Sequence, residues 1–321
     1  MKNTLAVLLP CLMLAACSTP APPPEAAAKK EEPAPIPEIK AELIASDPSW
    51  GNTEGPALDS KNNLYFTSRG TWKGIIRWNP TDGAKHYAEV AKKAGPGGLW
   101  IDDADNIFLT ATDEREVWKL SPAKKVTVVA KKGFEADPKL AKGPNDVVVA
   151  KNGIIYFTDP NGYYGDAPNG TVYWINKEGK TQVFSGDVTG PNGIILGLDE
   201  KTLYVSHNVA KTTSKIHSWP IKEDGSAGEM KEVATIPDCV ADGMAIDAES
   251  GLWLTCYSFA AAYRVTPDGK ITHKIATEQK GITNIQFGRG ADNHSLYLTG
   301  SDLERVTGYV YRAKVTVPGT R

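Results

Sequence analysis

From about residue 41 onward, short apolar runs alternate with polar turns, and the alternation itself repeats. The unit is a loop residue, a short apolar strand, a polar turn and a second apolar strand. Six copies follow in order: EGPALDSKNNLYFTS from Glu54, GGLWIDDADNIFLTA from Gly97, NDVVVAKNGIIYFTD from Asn145, NGIILGLDEKTLYVSH from Asn192, DGMAIDAESGLWLTCY from Asp242 and TNIQFGRGADNHSLYLTG from Thr283. The first five are each followed by a further strand pair, at Gly74–Val90, Glu116–Ala130, Gly170–Gly186, Ser214–Thr235 and Ala261–Ala276. Asp82-Gly83, Glu178-Gly179, Asp224-Gly225 and Asp268-Gly269 supply turns suited to hairpins. Four strands per unit, with a period in the forties, predict propeller blades. Six units predict an all-β, six-bladed β-propeller. A helical solenoid is excluded, because the apolar runs are too short and too rich in Val, Ile, Tyr and Phe. The sixth unit has strands at Ile285–Phe287, Leu296–Thr299 and Tyr309–Val317 and then ends one outer strand short. Ile39–Ala45 has strand character and is expected to complete that blade and close the ring.

The chain before the repeats follows a different pattern. Lys2 precedes an apolar run from Leu5 to Ala16. The run is too short to span a membrane and fits a signal segment over residues 1–16. Leu14-Ala15-Ala16-Cys17 resembles a bacterial lipobox, so Cys17 is expected to become the lipidated first residue of the mature chain. Ser18 rather than Asp follows it, which points to the outer membrane, facing the periplasm. Residues 17–40 carry seven of the 22 prolines, mixed with Ala, Lys and Glu. They read as an extended tether. Membrane attachment is then through lipid alone, with the propeller occupying residues 41–321.

Composition narrows the function. The chain has 41% hydrophobic and 23% charged residues and a formal net charge of −2. That balance is globular and lacks the basic footprint of a nucleic-acid binder. A monomer is expected. Once Cys11 and Cys17 are set aside, Cys239 and Cys256 remain in an oxidising compartment, either as a bridge or as two buried thiols.

The chemistry concentrates at the first residue of the repeat. Inner strands of a propeller surround its axis, so these residues converge at one mouth of the channel: Glu54, Gly97, Asn145, Asn192, Asp242 and Thr283. Two carboxylates and two carboxamides facing one axis are costly if dry and unpaired. A hard cation resolves that cost. Ca²⁺ takes about six to eight oxygen ligands, so Glu54, Asn145, Asn192 and Asp242 would leave room for water or substrate. Mg²⁺ and Mn²⁺ are also compatible, whereas the absence of His and Cys from the repeat position argues against Zn²⁺. Turn geometry alone would account for Asn-Gly and Asp-Gly but not for Glu54. Loops after the second strand of each unit frame the same mouth. They offer Arg69, Asp113, Glu114, Tyr163, Tyr164, His207, Asn208, Tyr257 and Asp302, of which Arg69, Asp113, Tyr163, His207 and Tyr257 are the leading substrate contacts.

Gly143-Pro144-Asn145-Asp146 with Tyr156-Phe157-Thr158-Asp159-Pro160, Gly190-Pro191-Asn192-Gly193 with Leu203-Tyr204-Val205-Ser206, Asp242-Gly243-Met244-Ala245-Ile246-Asp247, and Glu54-Gly55-Pro56 together resemble the regucalcin/gluconolactonase group of six-bladed propellers. The resemblance covers nearly all of 41–321. It implies an axial divalent metal, usually Ca²⁺ and in some members Zn²⁺, and hydrolysis of sugar lactones or related cyclic esters. It makes Glu54, Asn192 and Asp242 metal ligands, Asn145 a further ligand or substrate-positioning amide, and Asp242 the general base. Many sugar-lactonase members carry Arg or another polar residue where this chain has Gly143, a departure that bears on the substrate and leaves the metal site intact.

The expected reaction is metal-assisted lactone hydrolysis, with Asp242 and Asn145 as the catalytic pair. No G-x-S-x-G segment is present to supply a serine nucleophile. Two alternatives use the same residues: a metal-stabilised propeller that binds a ligand or protein without turnover, and an arylesterase or phosphotriesterase.

Overall fold

The computed structural model describes residues 35–90, 95–131, 133–134, 143–162 and 170–321. Cys17 and Tyr163 lie outside the described residues. The chain divides into Met1–Pro35 and Ile36–Arg321, and the second unit is the one described below.

Six antiparallel sheets follow one another along the chain. Blade one comprises Thr53–Leu58, Leu64–Arg69, Lys73–Asn79 and Gly83–Ala88, paired in chain order from the axis outward. Blade two comprises Pro96–Ile101, Ile107–Ala111, Glu116–Leu120 and Val126–Ala130, and blade three Val147–Val149, Ile155–Asp159, Gly170–Ile175 and Thr181–Val188. Blade four is Pro191–Leu196, Thr202–Ala210, Thr213–Pro220 and Lys231–Pro237. Blade five is Ala241–Ile246, Leu252–Cys256, Ala261–Val265 and Ile271–Ala276. Blade six takes Ile282–Phe287, Ser295–Ser301 and Gly308–Lys314 from the C-terminal end, and its outer strand is Glu42–Asp47. The predicted six-bladed, four-stranded architecture is the observed one.

Closure differs in one detail. The run Ile39–Ala45 does not act as a single strand. Glu38–Lys40 pairs parallel with Ile271–Ala276 at the rim of blade five, and only the following segment, Glu42–Asp47, completes blade six. The split has a packing cause. Ile39 and Ala41 lie against the buried cluster shared by blades five and six, which includes Trp253, Ile275, Leu298 and Tyr311. Ile44 and Ala45 lie against the cluster of blades six and one around Phe66, Ile76 and Val310. Glu38 adds an ion pair to Lys274 at 2.9 Å. It is partly exposed and contributes little by itself.

The core lies between blades rather than at the axis. Five apolar clusters bridge every junction of neighbouring blades, the largest joining blades three, four and five through Trp219, Ile194, Val205 and Leu254. Each junction also carries a hydrogen bond from one blade to the inner strand of the next. Thr67, Thr110, Thr158, Ser206 and Thr255 donate side-chain hydroxyls to the carbonyls of Gly97, Asn145, Asn192, Asp242 and Thr283, at 3.0, 2.7, 2.7, 3.0 and 2.9 Å. At the sixth junction Thr283 donates to the Thr53 carbonyl at 2.7 Å. At the opposite face Asp59, Asp102 and Asp247 open the inner turns by accepting backbone N–H groups two and four residues ahead. Such side-chain caps hold a tight turn without help from outside it. The hydroxyl belt therefore fixes the backbone of the repeat residues at the mouth.

Candidate active site at the mouth of the axis

All six repeat residues line one cavity of about 90 Å³: Glu54, Gly97, Asn145, Asn192, Asp242 and Thr283. Its rim is completed by Asn52, Arg69, Asn208, Val240, Ala241, Tyr257 and Arg305. The inner strands reach the axis through a shared irregularity. Register shifts fall at or beside the repeat residue in blades one, two, four, five and six, between Glu54 and Ala57 in the first and Ala241 and Met244 in the fifth. Such bulges turn side chains inward that regular pairing would place elsewhere.

A second polar layer sits directly beneath. The residue after each repeat position is Gly55, Gly98, Asp146, Gly193, Gly243 or Asn284. Two of the six carry side chains, and these fill the space that the glycines leave. A Cβ at Gly98 would lie 2.0 Å from Asp146 Oδ1, and one at Gly243 would lie 1.9 Å from Asn284 Oδ1. Blades three and six thus meet across the axis, where Asn284 Nδ2 donates to Asp146 Oδ2 at 3.2 Å.

Burial makes these carboxyls poor acids. Glu54, Asp146 and Asp242 expose only 7, 5 and 8% of their surface. Desolvation, followed by the nearby Asp146 charge, pushes Glu54 up to about 8, while Arg69 works in the opposite direction. Desolvation raises Asp146 to about 7 against hydrogen bonds from Val147 and Asn284. Asp242 is raised well above the carboxylate range by desolvation, then by Glu54 and Asp146; Arg305 and a hydrogen bond from Asn192 pull it down. Asn192 commits its amide N–H to Asp242, and its own Oδ1 is buried with no hydrogen-bond partner.

That orphaned oxygen tests whether a cation fits. The Glu54 and Asp242 carboxyls, both desolvated, and the unsatisfied Asn192 carboxamide oxygen share the cavity, and oxygen donors of this kind suit hard divalent cations. Among the described residues, no three His, Cys, Asp or Glu side chains are placed to hold an ion unaided. A cation at this mouth would draw on the carboxamide oxygens of Asn145 and Asn192 as well as on Glu54 and Asp242, and the oxygen chemistry of that set suits a hard ion.

The remaining expected contacts divide. Arg69 and Tyr257 line the cavity as expected. Asp113 does not: it stands outside, half-exposed, and faces the Arg69 guanidinium at 3.4 Å. His207 is a correction. The strand Thr202–Ala210 runs through the region expected to be loop. Side chains along it therefore alternate between faces. Ser206 and Asn208 face blade five, where they donate to the Asp242 and Ala241 carbonyls at 3.0 and 2.8 Å. His207 points away into the blade, 1% exposed, with its ring 4.7 Å from that of His217 and 5.8 Å from that of Trp219.

Cys239 and Cys256 form a disulfide with Cα atoms 4.9 Å apart. It ties the segment leading into Asp242 to the strand end leading into Tyr257. Tyr257 begins a 3₁₀ turn, and its hydroxyl accepts from Arg305 Nε at 3.3 Å.

Over residues 52–302 the sequence matches the SMP-30/Gluconolactonase/LRE-like region. The chain belongs to that family. A gluconolactonase from Zymomonas mobilis is 24% identical over 81% of this chain and 78% of its own. Two solved structures share the fold. A gluconolactonase from Xanthomonas campestris superposes with a TM-score of 0.66 at 21% identity, covering 84% of this chain and 86% of that one. Regucalcin from Agrobacterium tumefaciens, described as a calcium-binding protein, gives 0.71 at 18% identity, with 88% and 97% covered.

In this member of the SMP-30/Gluconolactonase/LRE-like family, three site residues go beyond those the sequence singles out. Asp146 and Asn284 stand one place after the repeat position, where the exceptions to glycine are the available signal. Arg305 lies in the same loop as Asp302, the residue expected there.

Proposed function

We propose that the protein is a divalent-cation-dependent lactone hydrolase. The reading is supported by family membership, by the gluconolactonase relatives and by the convergence of all six repeat residues on one cavity that contains an unsatisfied, buried Asn192 oxygen. Glu54, Asn145, Asn192 and Asp242 would hold the cation. Ca²⁺ is favoured by the oxygen donors and by the calcium-binding relative. When bound, such a cation would supply Lewis-acid polarisation of the lactone carbonyl. Asp242 would take the proton of the attacking water as general base, from the same cavity that Asn145 and Asn192 line. Asn145 would serve as a further ligand or position the substrate, and the Thr110 hydroxyl holds its backbone carbonyl. Tyr257 and Arg69 border the substrate at the rim. Around Cys17 the sequence supports a lipid anchor in the cell envelope, and the Cys239–Cys256 bridge suits an oxidising compartment.

Turnover of a lactone, an aryl ester and a phosphotriester by the wild type and Asp242→Asn tests the reading. Lactone turnover should dominate and fall about 10²–10⁴-fold in the variant. Dominant phosphotriester turnover, or lactone turnover untouched by the substitution, would contradict it.

A further inference from the structure

Arg69 and Arg305 sit on adjacent blades at the same edge of the cavity. Gly51 lies between their loops: a Cβ there would stand 2.7 Å from Gly70 Cα and 3.2 Å from the Arg305 carbonyl oxygen. Both side chains line the cavity, and both bear on its acids, Arg69 on Glu54 and Arg305 on Asp242. Each is also held in place. Arg69 lies over Gly95, where a Cβ would approach the guanidinium to 2.1 Å, and faces Asp113 at 3.4 Å. Arg305 lies beside Tyr257, bonded to its hydroxyl and 5.8 Å from the centre of its ring. The cavity therefore has a guanidinium edge on blades one and six and a carboxamide edge, Asn145, Asn192 and Asn208, on blades three and four.

Offsetting the axial carboxylates is a role that a bound divalent cation already fills. With that cation in place, the guanidinium groups of Arg69, which pairs with Asp113 outside the cavity, and of Arg305, exposed at the rim beside Tyr257, make that side of the mouth the cationic one. We propose that the substrate is an anionic lactone, one whose ring carries a carboxylate or sulfonate that Arg69 and Arg305 receive as the carbonyl approaches Asp242. Planar guanidinium forks match such oxyanions with paired hydrogen bonds. This inference rests on the lactone-hydrolase reading of the same site, and the experiment separates the two.

Calorimetric binding and kcat/KM are measured on the Ca²⁺-loaded full chain with two lactones of the same ring, glucono-1,4-lactone and glucaro-1,4-lactone. The second carries a C6 carboxylate in place of the hydroxyl. The anionic lactone should bind at least tenfold more tightly. Arg69→Gln and Arg305→Gln should each erode that preference, acting on KM more than kcat. Arg69→Lys and Arg305→Lys keep the charge but lose the fork and should retain an intermediate preference above that of the Gln variants, which distinguishes recognition from a folding defect. Equal binding of the two lactones, or a preference indifferent to both Gln substitutions, overturns the proposal even where lactones are hydrolysed. Arginine-dependent preference in binding with neither lactone hydrolysed supports anion recognition and overturns the hydrolase reading.

Discussion

Asn284 reaches across the channel from blade six to hydrogen-bond Asp146 of blade three at 3.2 Å, joining two blades on opposite sides of the ring. The contact gives a buried carboxyl one of its few donors. Asn284→Ala leaves Asp146 without that donor in a site 5% exposed. The expected cost is about 1–3 kcal/mol, read as a lower denaturation midpoint. An unchanged midpoint would show that the bridge is not maintained in solution.

The axial acids predict an unusual alkaline trend in cation-free protein. Glu54 titrates near 8 and Asp146 near 7 when folded, both above their unfolded values of 4.5 and 3.8. Between pH 6.5 and 8 the folded state keeps protons that the unfolded chain has lost, so stability falls as pH rises through that range, and Asp242, raised in the same direction, adds to the fall. Thermal melts in chelator should show a lower midpoint at pH 8.5 than at 6.5. Saturating Ca²⁺ should remove the difference, because it binds the ionised form and releases those protons.

His207 acts on the acid side with the opposite sign. Burial first, then the neighbouring His217, depress it to about 3 from 6.5. Below pH 6.5 the unfolded chain gains a proton that the folded protein refuses, so stability drops as pH falls toward 3. His207→Phe should flatten the stability profile between pH 6 and 4. It should also leave lactone turnover within about twofold, because the ring points into the blade, away from the axis.

The disulfide joins two cysteines separated by 17 positions, immediately beside the site. Reduction, or Cys239→Ser with Cys256→Ser, should cost about 3 kcal/mol by loop closure. It should also raise KM, since the segments carrying Asp242 and Tyr257 lose their cross-link. Chemical denaturation with and without reductant measures the first effect, and steady-state kinetics the second.

Anchoring is tested separately. Cys17→Ala should shift the protein from the membrane fraction to the soluble envelope fraction, with turnover per molecule unchanged. A soluble wild-type protein would remove the lipid anchor.

The ring and the mouth are legible because strand alternation and blade period are properties of the sequence. Glu54, Asn145, Asn192 and Asp242 stand out as polar residues at a fixed place in an otherwise apolar repeat, and they share one cavity. The orientation of His207 is not legible in the same way. It depends on where the strand ends, and Thr202–Ala210 runs on past the expected turn. Asp146 and Asn284 are hidden for a different reason. Their inward aim depends on the space left by Gly98 and Gly243 on neighbouring blades, a relation between chain segments far apart. The partition of Ile39–Ala45 between two blades likewise depends on which cluster each side chain covers. The hydroxyl belt, by contrast, is present in the first five copies as the Thr or Ser of the second strand and in the sixth as Thr283 of the first, and only the neighbouring blade reveals its acceptor.

The most direct test is a titration of chelated protein with Ca²⁺ while lactone hydrolysis is followed. Turnover should be absent at the start and rise to a plateau at one ion per chain, with Glu54→Gln weakening the dependence on Ca²⁺ by at least tenfold. Full lactone turnover in the chelated protein would contradict a cation-dependent hydrolase at this axis.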